Sequence, residues 1–201
     1  MKRKFINNNE EENDEEKDDN ILIYSDKNHI YFYTDVTIKS CLLLNIEIKK
    51  ITKEILKLSI DYDLINFNIY LHINSNGGDL LSSFSVIDTI INNKIPIISI
   101  IEGTAASAAT LISVVCNKRY ITENSFMLIH QLSSNNSGKY YEMNDEHKNN
   151  TKLMDSIYNI YIKYTKLSKN KLINILKNEL MFNSKECLKC GLIDEIYKKN
   201  I

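Results

Sequence analysis

The chain reads as an α/β domain, and three patterns predict it. Short apolar runs alternate with longer helix-spaced stretches from Ile21 onward. One run alternates strictly, with Phe67, Ile69, Leu71 and Ile73 on one face. Leu80, Leu81, Phe84, Ile87 and Ile91 then recur at helical spacing immediately behind it and are expected to face the core. Strand-helix-strand order repeated in this way is how a sheet is built with helices packed on it.

In chain order, residues 7–20 are acidic and nearly free of apolar side chains. Such a stretch cannot offset its ordering entropy, so a disordered tail is expected over 1–20 and a single domain over 21–201. Strands are expected near 29–34, 67–74, 95–101, 119–122, 126–130 and 192–197, and helices near 40–60, 79–93, 107–116, 142–166, 169–177 and 185–190. Pro96 opens a strand where its missing N–H is tolerated, and Gly191 ends the last helix as a left-handed C-terminal residue would. Along 142–166, Met154, Ile157, Tyr161 and Tyr164 form one narrow apolar stripe among charged and polar residues. That stripe fits either packing within the chain or a helix projecting toward a partner.

Composition excludes several classes. The 201 residues suit one domain, 43% are hydrophobic, and the formal net charge of -1 offers no basic excess for nucleic acid. With no apolar run of about 20 residues, no membrane span is expected. Met1-Lys-Arg-Lys-Phe-Ile leads into acid instead of a signal-peptide core, so a soluble protein of the cytoplasm or another intracellular compartment is expected. The four cysteines are too few and too scattered for a disulfide framework and fit reduced thiols. Cys187 and Cys190 have Cys-x-x-Cys spacing, but no second pair completes a zinc site, and no metal is expected. One proline and five glycines, with abundant Asn, Lys and Ile, suggest coding in an A/T-rich genome.

Chemistry concentrates in three segments. In Gly103-Thr-Ala-Ala-Ser107-Ala-Ala, small residues surround a serine between an apolar run and a helix-like run. A sharp strand-to-helix turn there exposes the hydroxyl and leaves backbone N–H groups free for an oxyanion; the alternative is close helix packing with Ser107 as a cap. His130 ends the short apolar run from Ser125, where a neutral imidazole can take a serine proton and return it to a leaving group. His29, His72 and His147 lie near the N-terminal region, in a strand pattern and in a charged helix, and suit structural or exposed roles. In Ile73-Asn-Ser-Asn-Gly-Gly78-Asp, two glycines let backbone approach a ligand, or make an ordinary strand-to-helix turn.

These segments, with Gly191-Leu-Ile-Asp-Glu-Ile196, resemble in order and spacing the proteolytic subunit of Clp protease, the ClpP serine peptidases. The family pattern reads roughly Ile-Asn-Ser-Pro-Gly-Gly, Gly-x-Ala-Ala-Ser-Met-Gly, Met-Ile-His-Gln and Gly-Leu-Val/Ile-Asp-x-Ile, and the likeness runs from about Ile21 to Tyr197. It implies the ClpP/crotonase-like fold of repeated strand-strand-helix units with a projecting handle helix at 142–166. It also implies Ser107 as nucleophile, His130 as base, and the N–H groups of Gly78 and Ala108 as oxyanion hole. Counting back from Gly191 puts the family's catalytic aspartate position on Glu179, whose extra methylene moves the carboxylate by about 1.5 Å; Asp155 is the reserve candidate. Asn76 stands where the family usually has proline, and Ala108-Ala109 where it often has Met-Gly.

The resemblance further implies an ATP-dependent endopeptidase acting on unfolded polypeptides through an acyl-enzyme. It implies homo-oligomeric rings of seven, stacked in pairs, fed by an AAA+ unfoldase. No cofactor is expected: ATP would be bound by that separate unfoldase, and this chain lacks a Gly-x-x-x-x-Gly-Lys-Ser/Thr phosphate loop. Glu179 and the acidic N-terminal segment, which stands in place of the family's axial-loop sequence, leave two alternatives: a catalytically weak or inactive ring subunit, or a specialised viral or capsid-maturation protease on the same fold. The related enoyl-CoA hydratase group needs no such serine and histidine pair.

Overall fold

A computed structural model describes residues 23–62 and 67–198, without the side chains of 60–62. The acidic stretch at 7–20 lies outside the described residues. Among the described residues, eight strands and six helices follow one another as β1 (Ile23–Asp26), β2 (His29–Phe32), α1 (Ile38–Tyr62), β3 (Ile69–Ser75), α2 (Leu80–Ile91), β4 (Ile97–Ala106), α3 (Ala108–Val114), β5 (Lys118–Ile121), β6 (Phe126–Leu128), α4 (Tyr140–Tyr164), α5 (Lys169–Leu176), β7 (Met181–Asn183), α6 (Ser184–Cys190) and β8 (Glu195–Ile196).

The main sheet has the order β1-β2-β3-β4-β5-β8, parallel throughout except for the β1-β2 hairpin. Its strands bury alternate residues as the period-2 pattern requires: Ile30 and Phe32 on β2, Ile69, Leu71 and Ile73 on β3, and Ile97 and Ile101 on β4 are essentially inaccessible. These meet Leu44, Ile48 and Ile51 of α1, Val86, Ile87 and Ile90 of α2, and Leu111 and Ile112 of α3 in one core. The opposite face carries stacked rings, with Tyr31 4.4 Å from His72 and His29 4.8 Å from Tyr70 between centroids.

β4 is the strand that places the site. Its first half pairs with β3 and β5, and its second half leaves β5 and pairs with β6, from Thr104 opposite Phe126 to Ala106 opposite Leu128. The switch falls at Gly103, at φ +90, where a Cβ would sit 3.0 Å from the Asn74 side chain. β6 in turn pairs antiparallel with β7, so a small three-stranded extension grows from the C-terminal end of β4.

Helix starts follow from local chemistry. At α1, Thr37 N–H donates to Ser40 Oγ at 2.8 Å while Ser40 N–H donates to Thr37 Oγ1 at 3.1 Å, a reciprocal cap. Asp79 caps α2 by accepting from Ser82 N–H at 2.7 Å, and Asn183 and Glu186 form the box that opens α6. Gly191, at φ 72, closes α6 in the left-handed conformation, and a Cβ there would lie 2.7 Å from Lys166 N.

Several expectations change. Leu81 and Ile91 are 62% and 45% exposed, because the buried stripe of α2 is Ser83, Val86, Ile87 and Ile90. Ser83 donates its hydroxyl to Leu80 O at 2.6 Å, which satisfies it inside the core while keeping the helix close to its neighbours. The expected strand at 95–101 runs on to Ala106, the one at 126–130 stops at Leu128, and β1 and β7 are additional. The stripe on α4 packs within the chain: Ile157 and Tyr161 are buried, and Met154 and Tyr164 lean on the core. Exposed apolar groups of α4 lie instead in its first turn, at Tyr140, Tyr141 and Met143, and near its end at Ile162.

All four cysteines are buried free thiols. Burial pushes Cys187 and Cys116 up to about 12 and Cys41 up to about 11, so these three are not poised as thiolates. Among the described residues no helix is long and apolar enough to cross a membrane. Nor does any group of three or more His, Cys, Asp or Glu side chains among them stand ready to hold a metal.

Candidate active site

Ser107 stands between the end of β4 and the start of α3 with φ 51 and ψ -124. For a residue with a Cβ this conformation costs about 1–3 kcal/mol and persists only when its surroundings over-determine it. They do so here. Ser107 N–H donates to Leu128 O on β6 at 2.8 Å, and Ser107 O accepts from Thr110 N–H at 3.0 Å and from Thr110 Oγ1 at 2.6 Å. Gly77 packs so closely that a Cβ on it would lie 2.7 Å from Ser107 Cβ and 2.5 Å from Ala106 O. The hydroxyl itself makes no capping bond to α3, which sets aside the reading of Ser107 as a helix cap.

Gly78 is held beside it by an isolated parallel bridge to Val36. Val36 N–H donates to Gly77 O and Asp79 N–H donates to Val36 O, both at 2.7 Å. In such a ladder the N–H of Gly78 points away from Val36, and among the described residues it donates to no protein acceptor. Ala108 is the first residue of α3, so its N–H has no intrahelical partner either. The φ of +142 at Gly78 and the 2.3 Å that would separate a Cβ from Val36 O explain why glycine occupies the position.

His130 lies two residues beyond β6, and its neighbour Gln131 is tied by N–H to Leu176 O of α5 at 2.8 Å. The antiparallel register pairs Leu128 with Met181 and Met127 with Phe182, and continuing it outward sets His130 opposite Glu179. Glu179 Oε1 is 3.8 Å from His130 Nδ1, in ion-pair range but beyond a hydrogen bond. The glutamate is 78% exposed against 17% for the histidine. Asp155, the reserve candidate, is exposed on α4 and lines a neighbouring recess with His147 and Tyr158.

Gly78, Ser107, Ala108 and His130 line one cavity of about 320 Å³. Its far wall is α4, through Leu153, Ile157 and Tyr161. Four of the five residues singled out from sequence therefore share one chamber, and Glu179 reaches its base from outside. No hydrogen bond joins the Ser107 hydroxyl to His130 among the described residues; in the absence of substrate such contacts are commonly long and tighten on binding.

Residues that sequence reasoning passed over complete the chamber. Tyr161 is buried and its hydroxyl lies 2.5 Å from Thr110 Oγ1; burial raises its pKa well above the usual phenol value. Helical spacing marked Tyr161 as apolar stripe, and nothing in the pattern disclosed its hydroxyl's partner. Away from the chamber, on the open sheet face, the Tyr33 hydroxyl donates to Glu102, His72 Nδ1 lies 3.1 Å from Glu102 Oε1 without the alignment of a full hydrogen bond, and His72 Nε2 is 2.9 Å from His29 Nδ1.

A strained serine at a strand exit, a histidine across a shared cavity and two unpaired backbone N–H groups are the parts that acyl transfer through a serine nucleophile requires. The sequence matches the Clp protease family model over residues 26–200, and the chain belongs to that family. It is 31% identical over 130 residues to an ATP-dependent Clp protease proteolytic subunit of Deinococcus radiodurans, covering 64% of each chain. It is 33% identical over 132 residues to ATP-dependent Clp protease proteolytic subunit 2 of Treponema denticola, covering 65% of this chain and 66% of that one. The alignments thus span just under two thirds of these relatives' length.

Proposed function

We propose that residues 21–201 form a serine-type endopeptidase domain that hydrolyses unfolded polypeptides through an acyl-enzyme on Ser107. The observation that carries this reading is Ser107 itself: strained at φ 51, free of any capping role, and sharing a cavity with His130 and two unpartnered backbone donors. In the reaction Ser107 Oγ attacks the scissile carbonyl as His130 takes its proton. The oxyanion is received by the N–H groups of Gly78 and Ala108. His130 then protonates the leaving amine, and water, activated by the same imidazole, releases the acyl group. Glu179 orients and charge-stabilises His130 from the Nδ1 side.

The working form proposed here is a homo-oligomeric ring, heptameric and stacked in pairs, inside the cell, a reading that family membership supports. Unfolded chains would be delivered by a separate AAA+ unfoldase, which would bind the ATP. A second reading, a weak or silent ring subunit, is favoured by the 3.8 Å gap between Glu179 and His130. Labelling of the assembled protein with a fluorophosphonate separates the two, beside Ser107→Ala and Glu179→Ala variants and with particle size measured in the same sample. Labelling that vanishes in Ser107→Ala establishes the nucleophile; an assembled wild-type protein that stays unlabelled leaves the silent subunit.

A further inference from the structure

The candidate oxyanion donor Ala108 N–H and the carbonyl of Ser107 belong to one peptide unit. That carbonyl is the end of a hydrogen-bonded chain reaching the site from α4. Thr110 Oγ1 is 2.6 Å from Ser107 O and 2.5 Å from Tyr161 Oη. A hydroxyl has one proton to give, and a carbonyl can only accept. With Thr110 donating to Ser107 O, the direction is forced: Tyr161 O–H donates to Thr110 Oγ1, and Thr110 O–H donates to Ser107 O. A second bond, from Thr110 N–H at 3.0 Å, reaches the same oxygen.

We infer that Thr110 and Tyr161 are positioning residues for the oxyanion hole, acting on the 107–108 peptide. The chain has two effects. It fixes the plane of that peptide, and with it the direction of the Ala108 N–H, at a residue whose backbone would otherwise relax out of positive φ. It also polarises the peptide, because drawing electron density toward the carbonyl oxygen leaves the N–H a stronger donor. Cooperative strengthening of this kind is about 10–30% per bond, and buried surroundings preserve it. Thr110 is wholly buried and Tyr161 is 2% exposed, so water cannot replace either hydroxyl. A threonine bonding back to a carbonyl one turn earlier is common in helices. What sets this one apart is that the carbonyl belongs to the nucleophile and that a second hydroxyl, from a different helix, backs it.

The inference rests on the proposed Ser107 chemistry, and two readouts keep their failures apart. The first is the second-order rate of fluorophosphonate labelling, with kcat and KM for a peptide. Thr110→Val, of similar shape, is expected to slow labelling and kcat about tenfold with KM unchanged. Thr110→Ser is expected to restore most of the rate, and Tyr161→Phe to cost about threefold. Added to Thr110→Val, Tyr161→Phe is expected to cost little more, since its effect passes through the Thr110 hydroxyl. The second readout is the Ala108 amide ¹⁵N shift in alanine-labelled protein, which is independent of catalysis. It is expected to move upfield in Thr110→Val and stay near wild type in Thr110→Ser. Equal labelling rates in wild type and Thr110→Val, or a loss that Thr110→Ser fails to restore, overturns the positioning role, as does an unmoved Ala108 shift. A wild-type protein that never labels, with the shift moving as expected, overturns the peptidase reading and leaves the Tyr161-Thr110-Ser107 chain standing.

Discussion

Replacing Glu179 by Gln removes a charge while keeping shape, and the geometry sets how much that can matter. Glu179 Oε1 lies 3.8 Å from His130 Nδ1, too far for the short-range part of a hydrogen bond, so what remains is Coulombic. At that separation a full ion pair is worth about 1 kcal/mol in the dielectric of water and about 4 kcal/mol at an effective constant of 20. With 78% of the Glu179 side chain exposed, the watery limit governs, and surface pairs of this kind contribute about 0–1 kcal/mol. Glu179→Gln should therefore lower kcat/KM by no more than about sixfold. Much of that difference should vanish at 1 M salt, where screening acts over about 3 Å. The assay is peptide hydrolysis by the assembled protein at low and high salt, with fluorophosphonate labelling rates alongside. A loss of a hundredfold or more, insensitive to salt, would refute the reasoning and require a carboxylate drawn into a buried bond with His130 in the working assembly.

Three further outcomes are expected. Gly77→Ala places a methyl 2.5 Å from Ala106 O and 2.7 Å from Ser107 Cβ at φ +92, so it should lower stability by about 1–3 kcal/mol and abolish Ser107 labelling even where the protein remains folded by circular dichroism. Arg119 pairs with Asp194 through Nη2 at 2.5 Å and Nε at 3.1 Å and also donates to the carbonyls of Tyr164 and Gly191. Arg119→Met should therefore cost about 2–4 kcal/mol in urea unfolding and leave Asp194 without its counter-charge. His29 is held below its ordinary value of 6.5, first by burial and then by His72, with Asp26 and Glu102 opposing and Lys27 assisting. A depressed folded-state value means the unfolded chain binds the proton more readily, so this contribution to stability is complete above pH 6.5 and is lost as pH falls through the folded-state value. His29→Gln should flatten the decline in melting temperature below pH 6.5, and an unchanged slope would remove His29 from the account.

Periodicity made most of the fold legible. Phe67 to Ile73 and the stretch after Gly78 named a strand and a helix because strict alternation and helical recurrence are incompatible patterns, and β3 and α2 lie there. Ile23–Asp26 and Met181–Asn183 escaped because four and three residues are too few to show a period. Hydrophobicity alone puts Leu81 and Ile91 on the buried face of α2, but Ser83 is buried and both of them are exposed. At the site, small residues around Ser107 and paired glycines before Asp79 signalled backbone geometry that only tight packing permits, and both positions have it. Counting back from Gly191 reached Glu179, and the β6-β7 register sets that residue opposite His130. Its distance and exposure were not readable, because they depend on how far a strand pairing extends past its last hydrogen bond. The Tyr161-Thr110 contact was equally hidden, since it joins residues 51 apart through a tertiary crossing.

The pairing of β4 with two sets of partners also imposes an order in time. Part of what shapes Ser107, the Gly77-Gly78 turn, β3 and the first turn of α3, lies within a short span of chain, and the Leu128 carbonyl and Tyr161 follow. His130 follows soon after in sequence, yet its seat depends on β7 at Met181–Asn183 and on the Leu176 carbonyl. Domains form from the N-terminus as they are synthesised, and distant pairings close last. Ser107 is thus enclosed before His130 is held in place. A nascent chain halted between Tyr161 and Leu176 would carry a shaped Ser107 with nothing to fix His130. On the proposed chemistry, the newborn chain would be kept from hydrolysing its neighbours until almost all of it has been made.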